Sequence, residues 1–305
     1  MKINFFTTPP LTPRLFTTLV AALFLFTGCM TGDDSKTTEY KLSFSANGGN
    51  GTIASISVEE GSEIELPENT FTKTGYSFAG WATSADGNVS YSDKAKISIT
   101  GNITLYAKWT VVAENAVNAI NSLPTGEHKI AVTGQMTKDN LNGVIAAIKG
   151  NSNGAKVYLD LGGITVDFYD WQRCKFADCE NLIGIVIPAI ESPDKNNPII
   201  LIPDLMFEGC KNLKTVIILN SSGEYKIITF KDCTSLEYVE IPTSIVCIYG
   251  DAFDGCTALE TITYKGTVEQ WKQVKTDFKD PKYKLMSLNV QCENGTASGS
   301  DLIKE

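Results

Sequence analysis

From Phe176 onward the apolar positions of the chain fall into one recurring pattern. Four segments share it: "FADCENLIGIVIP" from Phe176, "FEGCKNLKTVIIL" from Phe207, "FKDCTSLEYVEIP" from Phe230 and "FDGCTALETITYK" from Phe253. Each has a cysteine three residues after the phenylalanine and a leucine three residues after the cysteine. The last three copies are 23 residues apart, and the gap before them is eight residues longer. A period of this size with leucine and aliphatic positions in phase predicts an array in which each copy buries one face against its neighbours. The extra residues, "ESPDKNNP" at 191–198, are Pro- and Asn-rich and predict a surface loop. The segment before the third copy, "SGEYKII", is a weak strand signal and predicts irregular middle rungs. Strand alternation sends the leucine and the aliphatic positions inward and leaves two outward columns. One holds Gly184, Thr215, Tyr238 and Thr261, the other Val186, Ile217, Glu240 and Thr263. Val186, Ile217 and Tyr238 put apolar surface where polar residues are expected. That is either a contact site or a face covered by another part of the chain.

The flanking segments have other textures. "YKLSF", "IASISV", "SEIELP", "KISI" and "ITLYAKW" are short, β-prone and separated by Gly, Pro and Asn, so residues 40–111 predict a small β module. "ANGGNG" (46–51) lies between two such runs, with neither a helix nor a Gly-Lys-Ser/Thr after it. It predicts a tight hairpin loop rather than a phosphate cradle. Trp81 and Trp109 are expected in the module's core. Ala113, Ala116, Val117 and Ile120 have helical spacing and predict a linker helix within 112–126. Over 137–150, Thr137 is placed to cap a helix with Leu141, Val144, Ile145 and Ile148 on one face, stopping at Gly150. "KVYLDLGGITV" then predicts a strand with Val157, Leu159 and Leu161 inward. Residues 127–170 thus suit the end piece that a stacked array needs over its first layer. At the other end Val268, Trp271 and Val274 predict a helix over the last rung, and 267–305 the closing cap and tail.

The N-terminus bears on location. Leu15–Phe26 is an uncharged run of twelve residues, too short to span a bilayer and suited to a secretory signal. It leads into "LFTGC", which resembles a bacterial lipobox. The resemblance implies cleavage after residue 28 and lipid on Cys29, followed by a polar tether at 29–39. Met30 after the cysteine does not signal inner-membrane retention in such lipoproteins. The 35 acids outnumber the 26 bases, and losing Lys2 and Arg14 makes the chain more acidic still. That balance argues against nucleic acid as a partner and leaves the lipid as the membrane attachment. One histidine, His128, follows the signal, without a motif partner, and one arginine, Arg173. The usual general base and the usual anion clamp are nearly absent, and no cofactor or enzyme activity is expected.

The recurring cysteines 179, 210, 233 and 256 invite a chemical reading. Zinc sites usually show closely spaced cysteine pairs, whereas these neighbours are a full repeat apart. Equivalent side chains on adjacent parallel strands point the same way, about 4.8 Å apart, which is wider than a disulfide's Cβ separation. Free cysteine is small, apolar and readily buried. The pattern predicts an internal thiol ladder with no metal.

Two resemblances follow from these residues. "GYSFAGW" (Gly75–Trp81) and "LYAKW" (Leu105–Trp109) resemble the Listeria–Bacteroides repeat, also called the internalin B-repeat, which implies a β-grasp-like module over 40–111. The Phe-Cys-Leu copies resemble the BspA-type leucine-rich repeat, F-x-x-C-x-x-L-x-x-V-x-I-P, over 171–266, and "GT..QW" resembles the tails of such arrays. Together they imply a mainly β chain with some α, a β-grasp-like module followed by a leucine-rich-repeat solenoid with helical caps. With the lipobox resemblance, they also imply a lipid-anchored protein of the outer membrane or cell surface, an adhesin binding a protein or glycoprotein ligand on a host or bacterial surface. The alternative is a structural or scaffolding envelope lipoprotein facing the periplasm.

Overall fold

The computed structural model describes residues 38–192, 199–202, 206–227, 230–277 and 280–304. Cys29, the expected lipidation site, the expected signal at 1–28 and most of the 191–198 insertion lie outside the described residues.

Six strands build the first part: β1 (Glu39–Ser45), β2 (Ile56–Glu59), β3 (Glu63–Glu65), β4 (Tyr76–Ala82), β5 (Lys96–Ser98) and β6 (Ile103–Val112). They pair in the order β2-β1-β6-β4, with β1 parallel to β6, while β3 and β5 form a separate ribbon. The core is aromatic. Trp81 is fully buried and meets Phe44, Phe71 and Phe78 edge-on at 5.2, 6.0 and 4.9 Å, the geometry favoured by the ring quadrupole. Trp109 is part-buried, and its indole N–H donates to the Ala46 carbonyl at 2.9 Å. A Cβ at Gly49 would collide with the Trp109 ring, so glycine there admits the tryptophan. The "ANGGNG" connection is not the tight hairpin its composition predicts. β1 and β2 are antiparallel neighbours, but residues 46–55 between them form a wide loop. Asn50 is paired with Thr72, and the Asn47 amide donates to the carbonyls of Ala85 and Ala107.

The sheet does not end with this module. Val111 and Val112 of β6 pair in parallel with Val132 and Thr133 of β7 (Gly126–Met136). The chain between them makes a 3-10 turn at Ala113–Asn115 and α1 (Ala116–Asn121), with Ala116 and Ile120 buried. α2 (Lys138–Lys149) follows, its first turn capped by Thr137, and then β8 (Ala155–Val166), parallel to β7. Leu141, Val144 and Ile148 of α2 and Val157, Leu159 and Leu161 of β8 are all completely buried. This core lies on the same side of the sheet as the Trp81 core: Val111 belongs to the first, while Leu105 and Ala107 of the same strand belong to the second.

Beyond α3 (Phe168–Trp171) each repeat contributes two strands. β9 (Leu182–Ile187), β11 (Thr215–Ile218), β13 (Tyr238–Ile241), β15 (Thr261–Tyr264) and β17 (Asn289–Cys292) extend the long sheet in parallel, and β18 (Gly295–Ser298) closes it antiparallel. β10 (Ile199–Ile202), β12 (Glu224–Ile227), β14 (Ile245–Ile248), β16 (Lys275–Thr276) and β19 (Ile303–Lys304) form a second parallel sheet. The weak "SGEYKII" signal is β12 of that sheet. β14 bulges by one residue, Val246, opposite it, and Tyr225 is buried with its hydroxyl donating to the Pro188 carbonyl at 2.9 Å. The helix expected over the last rung is the single turn α4 (Val268–Trp271). α3 and α4 are the same device. Asp167 or Thr267 caps the turn, Trp171 or Trp271 is buried, and the residue three positions on, Cys174 or Val274, donates its N–H back to the tryptophan carbonyl.

Candidate functional site

The repeat's own chemistry lies in the turn between the two sheets. Phe176, Phe207, Phe230 and Phe253 stack nearly parallel at 5.3, 5.4 and 5.7 Å. The residue just before each cysteine has positive φ: Asp178, Gly209, Asp232 and Gly255, residue types that tolerate this backbone at low cost. Aspartate and glycine alternate because a Cβ on Gly209 or Gly255 would run into the carboxylate of Asp178 or Asp232.

That turn aims each cysteine N–H at its own phenylalanine carbonyl, 3.0 to 3.2 Å away. The carbonyl's second lone pair takes the thiol of the next rung. Cys210 Sγ donates to the Phe176 carbonyl at 3.3 Å, Cys233 to Phe207 at 3.1 Å and Cys256 to Phe230 at 2.9 Å. Cys179, Cys210, Cys233 and Cys256 form one fully buried column of free thiols. Burial pushes the thiols of Cys210 and Cys256 up to about 12, and those of Cys179 and Cys233 upward. They are therefore neutral at physiological pH and poor nucleophiles. Leu285 takes the cysteine's place after the last repeat. Leu288 donates its N–H to the Leu285 carbonyl as Leu259 does to that of Cys256.

The outward face of the long sheet is where side chains differ from rung to rung. Strand register aligns Lys129, Tyr158, Gly184, Thr215, Tyr238, Thr261 and Asn289 in one row. Ala131, Asp160, Val186, Ile217, Glu240, Thr263 and Gln291 make the second, through the same pairings. Tyr238 is exposed, Thr215, Ile217, Glu240 and Thr263 are half-buried, and Thr261 is exposed. Val186 is buried, with Leu219 and the Asp160–Gly162 stretch beside it. The Tyr158 ring leans over Gly184, where a Cβ would overlap it.

Two polar clusters flank this apolar centre. On one side Lys129 pairs with Asp160 at 3.5 Å and reaches over the Tyr158 ring at 5.4 Å. On the other, the Tyr238 hydroxyl donates to Glu240 at 2.8 Å, and Lys265 pairs with the same carboxylate at 3.0 Å. Burial first, then the charges of Asp160 and Glu240, raises the Tyr158 phenol, which stays a neutral donor. Further along, the hydroxyls of Thr110 on β6 and Thr133 on β7 meet at 3.2 Å. Lys129, Tyr158, Asp160 and Lys265 are absent from the sequence-derived columns. Their signal was present, because placing Val157, Leu159 and Leu161 inward puts Tyr158 and Asp160 outward. Trp271 is not on this face: it is buried against Tyr264 at 5.3 Å, with its indole N–H bound to the Ser298 carbonyl. Among the described residues no group of three or more His, Cys, Asp or Glu is placed to hold a metal ion. No helix among them is long and apolar enough to cross a membrane.

The comparisons with known proteins agree with this architecture. Residues 40–108 match the family model of the Listeria-Bacteroides repeat domain. Residues 172–275 match that of the BspA type leucine rich repeat region, in six copies. No curated protein and no solved structure matches the chain. Both families are typical of bacterial surface proteins, and leucine-rich repeats generally mediate protein–protein interaction. An aromatic β module joined strand to strand to an array of Phe-Cys-Leu rungs is thus a Listeria–Bacteroides repeat domain followed by BspA-type leucine-rich repeats.

Proposed function

We propose that this chain is a lipid-anchored binding protein of the bacterial cell surface, an adhesin that reads a protein or glycoprotein ligand and catalyses nothing. In this reading Cys29 carries the lipid, the β-grasp-like module stands next to the membrane tether, and the leucine-rich-repeat solenoid presents the binding face. The observation that carries it is the outward face of the long sheet. Its apolar centre, the half-buried Ile217 beside the buried Val186, lies between two tyrosines and two carboxylates held in place by lysines. Aromatic and apolar anchors ringed by polar groups are the usual composition of an interface hot spot.

The test has two arms. Intact cells are treated with external protease, and loss of the protein is expected. Survival under treatment that strips other surface proteins would overturn the surface reading and favour a periplasmic scaffold. Separately, Tyr158→Ala and Tyr238→Ala are compared with wild type in binding to immobilised host-matrix and bacterial-surface proteins. About tenfold weaker binding by each variant is expected, the size of a modest hot-spot loss. Unchanged binding would move the ligand off this face.

A further inference from the structure

The second sheet has an outward face of its own, and a cleft of about 510 Å³ opens on it beside α4. Register lines up Lys226 of β12, Cys247 of β14 and Lys275 of β16 in one row across the cleft floor. The bulge in this pairing brings Val246 onto the same face. α4 and the residues after it supply Gln270 and Gln273, and the turn before β14 supplies Thr243. Glu224, on β12, stands two strands from Lys275. The cleft floor therefore has a lysine at each end, Lys226 on β12 and Lys275 on β16, and its carboxylate, Glu224, lies at the β12 end, away from Lys275.

We propose that this cleft binds an acidic sugar, with the carboxylate toward Lys275 and the ring hydroxyls on Gln270, Gln273, Thr243 and Glu224. The size lies within the range of small-molecule sites, about 300–1,000 Å³. The donor set decides the class. The Gln273 amide offers a donor and an acceptor together, and the Gln270 amide, whose oxygen accepts the Thr267 N–H at 2.8 Å, offers its N–H donors, which matches the hydroxyls of a sugar. A lysine ammonium matches a carboxylate as a point charge without demanding planar geometry. The half-buried Val246 gives the C–H face of the ring an apolar contact. A purely apolar ligand would leave the Gln273 amide and the Lys275 ammonium unpaired on binding, and a neutral sugar would leave Lys275 without its counter-charge. This site is on the other sheet from the protein-binding face and does not depend on it.

The experiment is calorimetric titration of the 305-residue chain with glucuronate and with N-acetylneuraminate, with glucose as the neutral control. Saturable binding of at least one acid is expected, with glucose at least tenfold weaker, and affinity falling as salt is raised. The pair Lys226→Gln and Lys275→Gln is expected to weaken the acid by about five- to tenfold. Lys211→Gln, on an exposed turn away from the cleft, is expected to change nothing. As a check that needs no variant, the acid is expected to shield Lys226 and Lys275 of the wild-type chain, but not Lys211, from an amine-reactive reagent. Failure of both acids to bind, equal binding of glucose, or lysines labelled equally with and without the acid would each overturn the proposal.

Discussion

Replacing Cys233 separates the two roles that the thiol column combines. Cys233 is completely buried, and its Sγ is 3.1 Å from the Phe207 carbonyl, which also accepts the Cys210 N–H at 3.2 Å. Cys233→Ala deletes the donor and leaves a void of about one sulfur atom. The void costs about 1 kcal/mol, as for a buried methylene-sized group. The lost hydrogen bond adds about 0.5 kcal/mol, at the low end because a thiol is a weak donor and the carbonyl keeps its backbone partner. Cys233→Ser keeps a donor on the same atom position and loses less volume, so it is expected to cost about 1 kcal/mol or less. Burial holds the thiol neutral, so serine exchanges one neutral donor for another. The assay is urea unfolding at neutral pH followed by far-ultraviolet circular dichroism, with the slope checked for each variant. Alanine should be less stable than serine. If alanine equals or exceeds serine, the S–H···O=C geometry adds nothing, and the cysteine is there for its volume alone.

The remaining predictions concern the turn, the pH dependence and the junction. Gly209→Ala forces a Cβ onto a positive-φ residue facing Asp178, and a loss of about 1–3 kcal/mol is expected in the same unfolding assay. The double variant Asp178→Ala, Gly209→Ala should lose less than the sum of the two single losses, because the clash is gone. Fully additive losses would refute the packing account of the Asp/Gly alternation. For pH, the thiols of Cys210 and Cys256 titrate near 12 when folded and near 9 when unfolded. Above pH 9 the unfolded chain releases these protons and the folded chain does not, so their contribution is complete below pH 9 and is lost as pH rises toward 12. The stability difference between wild type and Cys256→Ala should therefore narrow between pH 9 and 11, and a widening gap would refute it. At the junction, Val111→Asp buries a charge in the β6–β7 pairing and should lower the thermal midpoint of the whole 39–305 unit. A separate, unshifted transition for the repeats would show that the two parts do not fold together.

What the sequence disclosed and what it withheld follow from how often a constraint is repeated. Phe, Cys and Leu recur because each rung must present the same shape to the next. Three positions identical in four copies are legible without any structure. The second sheet is not, because "IILI", "EYKI", "IVCI" and the two-residue β16 share only a loose apolar pattern over four residues or fewer. Strands that short carry no period long enough to count. Tyr158 and Asp160 were missed for a different reason. Columns begun at the first Phe-Cys-Leu copy stop one strand short of β8, although β8 presents the same outward face. The pairing of β6 with β7 left still less trace. It rests on two residues, Val111 and Val112, in a segment whose helical spacing reads as a connector, and parallel pairing depends on non-local register that no local pattern records.

That two-residue pairing changes what the module can contribute. A β module on a flexible linker would add reach and nothing to recognition. Here β6 supplies a neighbour for β7 at Val132 and Thr133, so part of the open edge of the array's first layer is covered by strand pairing, while α1 and α2 pack into the core beside it. Covering an edge removes unpaired backbone groups that would otherwise attract other chains. It also fixes the outward side of β6 in register with that of β7, as the Thr110–Thr133 contact records. A partner lying across Lys129, Tyr158 and Asp160 would reach Thr133 and Thr110 with no change of surface. Substituting Thr110 and Thr133 together by lysine is therefore expected to weaken binding of a ligand that depends on Tyr158. The ligand would be one recovered on the host-matrix or bacterial-surface proteins, and binding would be measured by surface plasmon resonance. If binding is unaffected while Tyr158→Ala abolishes it, the recognised surface ends at β7 and the module serves the fold alone.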